Sequence, residues 1–294
     1  MVRPLVGVGH SFGANIITNL ALMHPRLLSS LVLLDPVLAR FQRRADYGLG
    51  PMLNTAHRRD LWPSRANAVA SFARSPFYAT WDPRVLERWN SHGLRDCPTS
   101  LYPDAKSPQV TLTTSKHMEC FTYYRPQAQA YDPVTGARIV DKSKLVDADP
   151  EIVESDPSVF AFYRPEGNSC IDRLQNLRPG VMWIFGANSD VNPPHVRQEK
   201  MDLTGVGTGG SGGAASGRVQ QATLDGYGHL VPMEATMRCA EIAGEFLVQD
   251  LTVWQAEETA FREWAQRPQK EKQLMDEDWW RWIGGRKKPG KGKL

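Results

Sequence analysis

Apolar residues gather along this chain in short runs separated by turn residues. Residues 2–8 are mostly apolar and predict the end of a buried strand, and residues 14–24 predict the helix after it. Leu31-Val32-Leu33-Leu34 and Val181-Met182-Trp183-Ile184-Phe185 are uninterrupted apolar runs. The second is too short for a helix and suits a parallel strand buried on both faces. A further strand is expected at Val219–Leu224, with a helix from about Glu234 into the 240s.

The strand–helix alternation breaks between residues 39 and 170. Helical pieces are expected at 64–74 and 83–91, and an alternating, β-rich piece at 110–124. Aromatic side chains recur there: Phe72, Phe77, Tyr78, Trp81, Trp89, Phe121, Tyr123 and Tyr124. The stretch reads as a cap shaping an apolar pocket; the alternative is an ordinary packed subdomain without substrate contact. Residues 130–160, rich in Asp, Pro, Lys and Glu, read as a surface excursion. The glycine-rich stretch 205–213 lacks the Gly-Lys-Ser/Thr of a phosphate loop and is expected to be a flexible linker. Leu251, Trp254, Phe261 and Trp264 recur at roughly helical spacing and predict a docked helical extension, with Trp279, Trp280 and Trp282 anchoring its end. Four segments follow: 1–38 and 171–248 as core, 39–170 as cap, and 249–294 as extension and tail.

Candidate chemistry enters with Gly9-His10-Ser11-Phe12-Gly13, placed between the first strand and the first helix. A G-x-S-x-G turn in that position sets a serine hydroxyl on a strained, exposed corner. Gly9 and Gly13 lack a Cβ and are expected to let strand and helix approach closely. The Phe12 backbone amide is the expected oxyanion donor, aided by the positive end of the helix. The competing interpretation is an inert serine in a glycine-rich turn.

A serine hydroxyl needs a base, and a histidine base needs an orienting carboxylate. His229, in Gly226-Tyr227-Gly228-His229 after the 219–224 strand, is the expected base. Asp190, in the loop Gly186-Ala187-Asn188-Ser189-Asp190 after the 181–185 strand, is the expected acid. Asp35, closing Leu31–Leu34 ahead of Pro36, is the rival acid. His10 occupies the variable position of the motif. His24, His57, His92 and His195 lack comparable context, and His117 is a candidate for the pocket wall or simply a solvated or core histidine.

The elbow, Phe185-Gly186-Ala187-Asn188-Ser189-Asp190, the glycine-rich insert and Gly228-His229-Leu230-Val231-Pro232-Met233-Glu234 together resemble a fungal group of the α/β-hydrolases. That group includes peroxisomal lipase-like enzymes and hydrolases of toxin biosynthesis. The resemblance implies an α/β-hydrolase fold, here lacking its first strands, with a large inserted cap and a C-terminal helical extension. A sheet without those strands would expose the edge of a normally central strand and lack a second oxyanion donor. It also implies a peroxisomal address similar to Ser-Lys-Leu. This chain ends Gly292-Lys293-Leu294, which would engage an import receptor if read as such a signal.

Composition narrows the classes. The 294 residues are 41% hydrophobic and 23% charged, the balance of a globular protein large enough for one core with a cap. No apolar run is long enough for a transmembrane span and no signal peptide is visible. Cys97, Cys120, Cys170 and Cys239 are scattered without a C-x-x-C pair, indicating neither a disulfide framework nor a zinc site. An intracellular setting, peroxisomal or otherwise cytoplasmic, is expected. The formal charge of +3 becomes −2 without the five cations Arg286, Lys287, Lys288, Lys291 and Lys293, so the basic excess belongs to the tail. No nucleic-acid motif accompanies it. The expected function is cleavage of an ester or thioester of an apolar acyl substrate by Ser11, His229 and Asp190, a carboxylic-ester hydrolase or lipase-like activity without metal or cofactor. The alternative is an impaired hydrolase remnant that binds a ligand or partner.

Overall fold

Period-two alternation in two fully buried strands organises the sheet. The computed structural model describes residues 4–40, 49–123, 129–140 and 165–286. Strand β1 (Val6–His10) leads into helix α1 (Ser11–Met23) and strand β2 (Ser30–Leu34). After residues 49–140, helix α7 (Pro165–Ile171) leads to β8 (Gly180–Gly186), α8 (Pro194–Leu203) and β9 (Val219–Leu224). The short helix α9 (Val231–Glu234) and the long helix α10 (Thr236–Gln266) follow.

The four strands form one parallel sheet in the order β1-β2-β8-β9. Every residue of β2 and β8 is buried, as parallel strands covered on both faces require. Leu31, Leu33, Val181, Trp183 and Phe185 face a core built with Ala14, Ala21 and Leu22 of α1 and Ile171 of α7. Val32, Leu34, Met182 and Ile184 face the opposite core, with Val231, Ala235, Cys239, Ile242 and Phe246. The register sets His10 level with Leu34, and Leu34 level with Ile184. The residues that follow β1 and β2, Ser11 and Asp35, therefore emerge side by side at one end of the sheet.

β1 is less buried than its apolar sequence predicts. It is an edge strand, and Val8 is 59% exposed although it stands level with buried Val32. The second core ends before reaching it.

Residues 49–123 build a smaller sheet and core of their own. An antiparallel sheet in the order β3-β5-β4 (β3 Leu61–Trp62, β4 Leu94–Asp96, β5 Val110–Leu112) packs with helices α2 (Leu49–His57), α3 (Arg65–Ala73), α4 (Pro76–Ala79) and α5 (Pro83–His92). Many of the aromatic residues are spent on this core. Trp62 and Phe72 are buried, and Tyr78 and Trp89 pack against them. The expected β-rich piece at 110–124 stops at Leu112. Ser115 Oγ accepts from the Met118 amide and starts helix α6 (Lys116–Cys120), a capping interaction that overrides the alternating pattern. A hairpin, β6 (Gln129–Tyr131) and β7 (Arg138–Val140), follows. Of the expected surface excursion, residues 141–160 lie outside the described residues, as does Tyr124.

The glycine-rich stretch is not a loose linker. Gly205 and Gly207 amides donate to the carbonyls of Leu174 and Gln175, and the Ser211 amide donates to Leu177. A Cβ at Gly210 would stand 2.4 Å from the Gly205 carbonyl oxygen and 2.6 Å from that of Gln175, so glycine permits the close packing.

The chain divides into two compact units, residues 1–248 and 249–294. The second contains the end of α10, α11 (Gln269–Gln273) and α12 (Glu277–Trp282). Within it, Phe261 and Trp264 stack on each other at 5.8 Å and are 43% and 47% exposed. Among the described residues no helix is long and apolar enough to cross a membrane. The tail cations beyond Arg286 and the terminal Gly292-Lys293-Leu294 lie outside the described residues.

Ile184, fully buried at the centre of β8, tests this arrangement. Ile184→Ala should cost about 2–5 kcal/mol of stability, read as a lowered urea midpoint with an unchanged m-value.

Candidate active site

The elbow adopts the conformation its motif demands. Ser11 has φ of 55°, a left-handed backbone that non-glycine residues rarely hold. The conformation is fastened from outside, since the Val37 amide donates to the Ser11 carbonyl and the Asn15 side chain donates to the Val37 carbonyl. The two glycines differ in why they are there. A Cβ on Gly9 would lie 2.6 Å from Ala14 Cα, so only glycine lets α1 cross the strand end. A Cβ on Gly13 would meet nothing within 4 Å, so the expected steric requirement does not apply there.

Three side chains meet at this corner. Ser11 Oγ lies 2.9 Å from His229 Nε2, and His229 Nδ1 lies 2.6 Å from Asp35 Oδ2. Ser11 and His229 remain partly accessible, whereas Asp35 is completely buried. Asp35 also has a left-handed backbone, with φ of 37°.

The expected acid, Asp190, is not at the histidine. It is exposed, and the carboxylate bonded to His229 Nδ1 is that of Asp35. The reason is the route of the loop after β8. Ser189, not Asp190, turns inward and donates from Oγ to Asp35 Oδ2 at 2.6 Å. The loop predicted to supply the acid supplies a hydrogen bond to the acid of the neighbouring strand.

The loop bearing His229 is held by backbone contact with β8. The Ala187 amide donates to the Leu224 carbonyl and the Asn188 amide to that of Tyr227. A Cβ on Gly186 would lie 2.1 Å from the Gly228 carbonyl oxygen, which explains the glycine at that strand end.

His10, set aside in the sequence, is part of the arrangement. Its Nε2–H donates to the His229 carbonyl at 2.8 Å, and the two rings lie 5.0 Å apart. Burial pushes the His10 imidazole below its ordinary pKa, with the carbonyl bond opposing and the nearby His229 adding to the shift. His24, His57, His92, His117 and His195 are exposed, and none takes part in the Ser11–His229–Asp35 relay.

Beneath Asp35 lies a polar layer that sequence patterning does not reveal. Asn192, fully buried, donates to the Pro36 carbonyl at 3.2 Å and accepts from Lys200 Nζ at 2.6 Å. Arg197 donates to the carbonyls of Asn192, Gly186 and Ala187. Lys200 is also fully buried, and burial pushes its ammonium down to about 7, against the opposing pull of Asp35 and Glu199. A fully buried lysine is an exception that periodicity cannot flag.

Known proteins share the sequence and the architecture. No protein-family model matches the chain. It is 36% identical over 315 residues to a protein named type I acyl-CoA thioesterase mpaH from Penicillium brevicompactum, covering 100% of this chain and 70% of that protein. It is 26% identical over 251 residues to abhydrolase domain-containing protein AFT2-1 from Alternaria alternata, covering 85% of each. The peroxisomal alpha-beta-hydrolase Lpx1 of Saccharomyces cerevisiae superposes with a TM-score of 0.53 at 14% identity, across 92% of this chain and 62% of that one. The chain thus spans less than two thirds of that solved structure.

Two outcomes check this geometry. Gly9→Ala should destabilise strongly, by an overlap with backbone that cannot move aside, whereas Gly13→Ala should leave the melting temperature unchanged or slightly raised. For Lys200, the folded value of about 7 lies below the ordinary lysine value of 10.5, so between those pH values the unfolded chain binds more protons. Its penalty is full below pH about 7 and is relieved as pH rises. The stability of the wild type relative to Lys200→Met should therefore increase across that window in denaturant titrations.

Proposed function

Because this chain belongs to the α/β-hydrolase family of these fungal thioesterase and abhydrolase-domain proteins, we propose that it hydrolyses an acyl thioester through a serine acyl-enzyme. The observation that carries the reading is the unbroken relay from Ser11 Oγ through His229 to buried Asp35, mounted on a serine with φ of 55°. In this reading His229 Nε2 takes the hydroxyl proton as Ser11 Oγ adds to the thioester carbonyl. Asp35 holds the Nδ1–H tautomer and stabilises the imidazolium that forms. The Phe12 amide, in the first turn of α1, donates to the oxyanion. Collapse of the adduct breaks the carbon–sulfur bond, and the His229 proton leaves with the thiolate. Water, deprotonated by the same imidazole, then adds to the acyl-serine and releases the acid.

The preference for a thioester over a simple ester rests on the Penicillium relative, whose name is that of an acyl-CoA thioesterase. The thiolate is also the better leaving group, since its conjugate thiol has a pKa of about 8.5. The acyl chain would run towards the 49–123 unit. The Asp82 amide, at the start of α5, donates to the Met233 carbonyl four residues beyond His229. Phe77, in the helix before it, keeps 55% of its surface exposed, and Phe121 keeps 52%, so both are aromatic contacts open to that chain.

Free thiol released from acyl-CoA substrates of graded length measures the activity. Ser11→Ala should abolish turnover and Asp35→Asn should lower kcat by about 10⁴, whereas Asp190→Asn should leave it unchanged. Folded protein that neither releases thiol nor is labelled at Ser11 by a fluorophosphonate would overturn the reading.

A further inference from the structure

We propose that Lys200 is a positioning residue for the proposed hydrolytic relay: through Asn192 it fixes the turn that carries Asp35. The inference rests on the reading of Ser11, His229 and Asp35 as the reacting relay.

The Asp35 carboxylate is unevenly satisfied. Oδ2 accepts from both His229 and Ser189, while Oδ1 is buried without a hydrogen-bond partner. An acceptor in that state must be offset by charge or by displacement towards a donor. Lys200 is the buried cation on whose ammonium Asp35 exerts the strongest favourable electrostatic pull; Glu199 adds to it and Arg197 opposes it. Oδ1 makes no hydrogen bond, so the carboxylate is held at Oδ2 alone, by the imidazole and by Ser189.

The mechanical link is as direct. Asp35 sits at φ of 37°, which its own backbone disfavours. Its amide is tied to the Ile184 carbonyl on one side. On the other, the carbonyl of Pro36 accepts from Asn192, whose Oδ1 accepts from Lys200 Nζ. Asn192 is bonded at both ends of its amide and at its own carbonyl, so it transmits the position of α8 to the turn after β2. A methionine would fill the space of Lys200 at far lower desolvation cost. The ammonium therefore calls for a role beyond packing, and its bond to Asn192, which holds the turn after Asp35, supplies one.

The full chain with Lys200→Met, and separately with Asn192→Asp, tests this. Asn192→Asp keeps a partner for the ammonium but removes the donor to the Pro36 carbonyl. Each should lower kcat at least about tenfold with KM little changed, and slow fluorophosphonate labelling of Ser11 in proportion. The downfield proton resonance of His229 Nδ1–H should shift or broaden while the melting temperature stays within a few degrees of wild type. Wild-type kcat, or a loss confined to KM with an unmoved resonance, would overturn the proposal. If Lys200→Met does not fold, Asn192→Asp alone decides it by the same criteria. The resonance requires no turnover, so an inactive wild type would refute the hydrolase reading while the resonance still reports on how Lys200 holds the Asp35–His229 pair.

Discussion

A single short contact, Asp35 Oδ2 to His229 Nδ1 at 2.6 Å, ties together parts of the chain nearly two hundred positions apart. It requires a carboxylate with no solvent exposure at the end of a hydrophobic sheet. Burying such a group is unfavourable without compensation, and much of the local architecture supplies that compensation. Ser189 is turned inward to donate to it, the loop after β8 gives up Asp190 to solvent, and α8 carries a polar layer where its inner face could have been apolar. The elbow depends on the same turn, because the Val37 amide two residues past Asp35 anchors the carbonyl of Ser11.

The sheet was legible because parallel strands buried on both faces leave uninterrupted apolar runs, and Leu31–Leu34 and Val181–Phe185 are such runs. Ser11 and His229 were legible because each directly follows a strand or its short turn, with glycines that mark backbone crowding. The acid was not. Asp35 and Asp190 both follow strands that pair with each other, and strand ends locate a loop without saying which way its side chains turn. Asp35 is the more constrained of the two, one residue past its strand and next to a proline, while Asp190 lies four residues beyond Gly186 with room to swing out. Lys200, Arg197 and Asn192 were invisible for a different reason. Patterns of burial assign charged residues to the surface, and these are held inside by partners distant in sequence or on another element.

The aromatic residues between 62 and 89 illustrate a related ambiguity. Trp62 and Phe72 form a conventional small core, and Tyr78 and Trp89 close around it. The same residue types serve packing and substrate contact, and only exposure separates them. Phe77 stays outside. In the same way, Gly9 and Gly13 look equivalent in the motif, yet one is crowded by backbone and the other faces open space.

Ser11 and Asp35 both hold left-handed backbones that cost non-glycine residues about 1–3 kcal/mol each. Glycine at either position would relax that conformation while deleting the functional group. The backbone at these two positions therefore gives the side chains no support of its own. A copy of this protein freed from the proposed chemistry would exchange Ser11 for glycine more readily than Asp35, whose carboxylate also joins the loops of Ser189 and His229 to the end of β2.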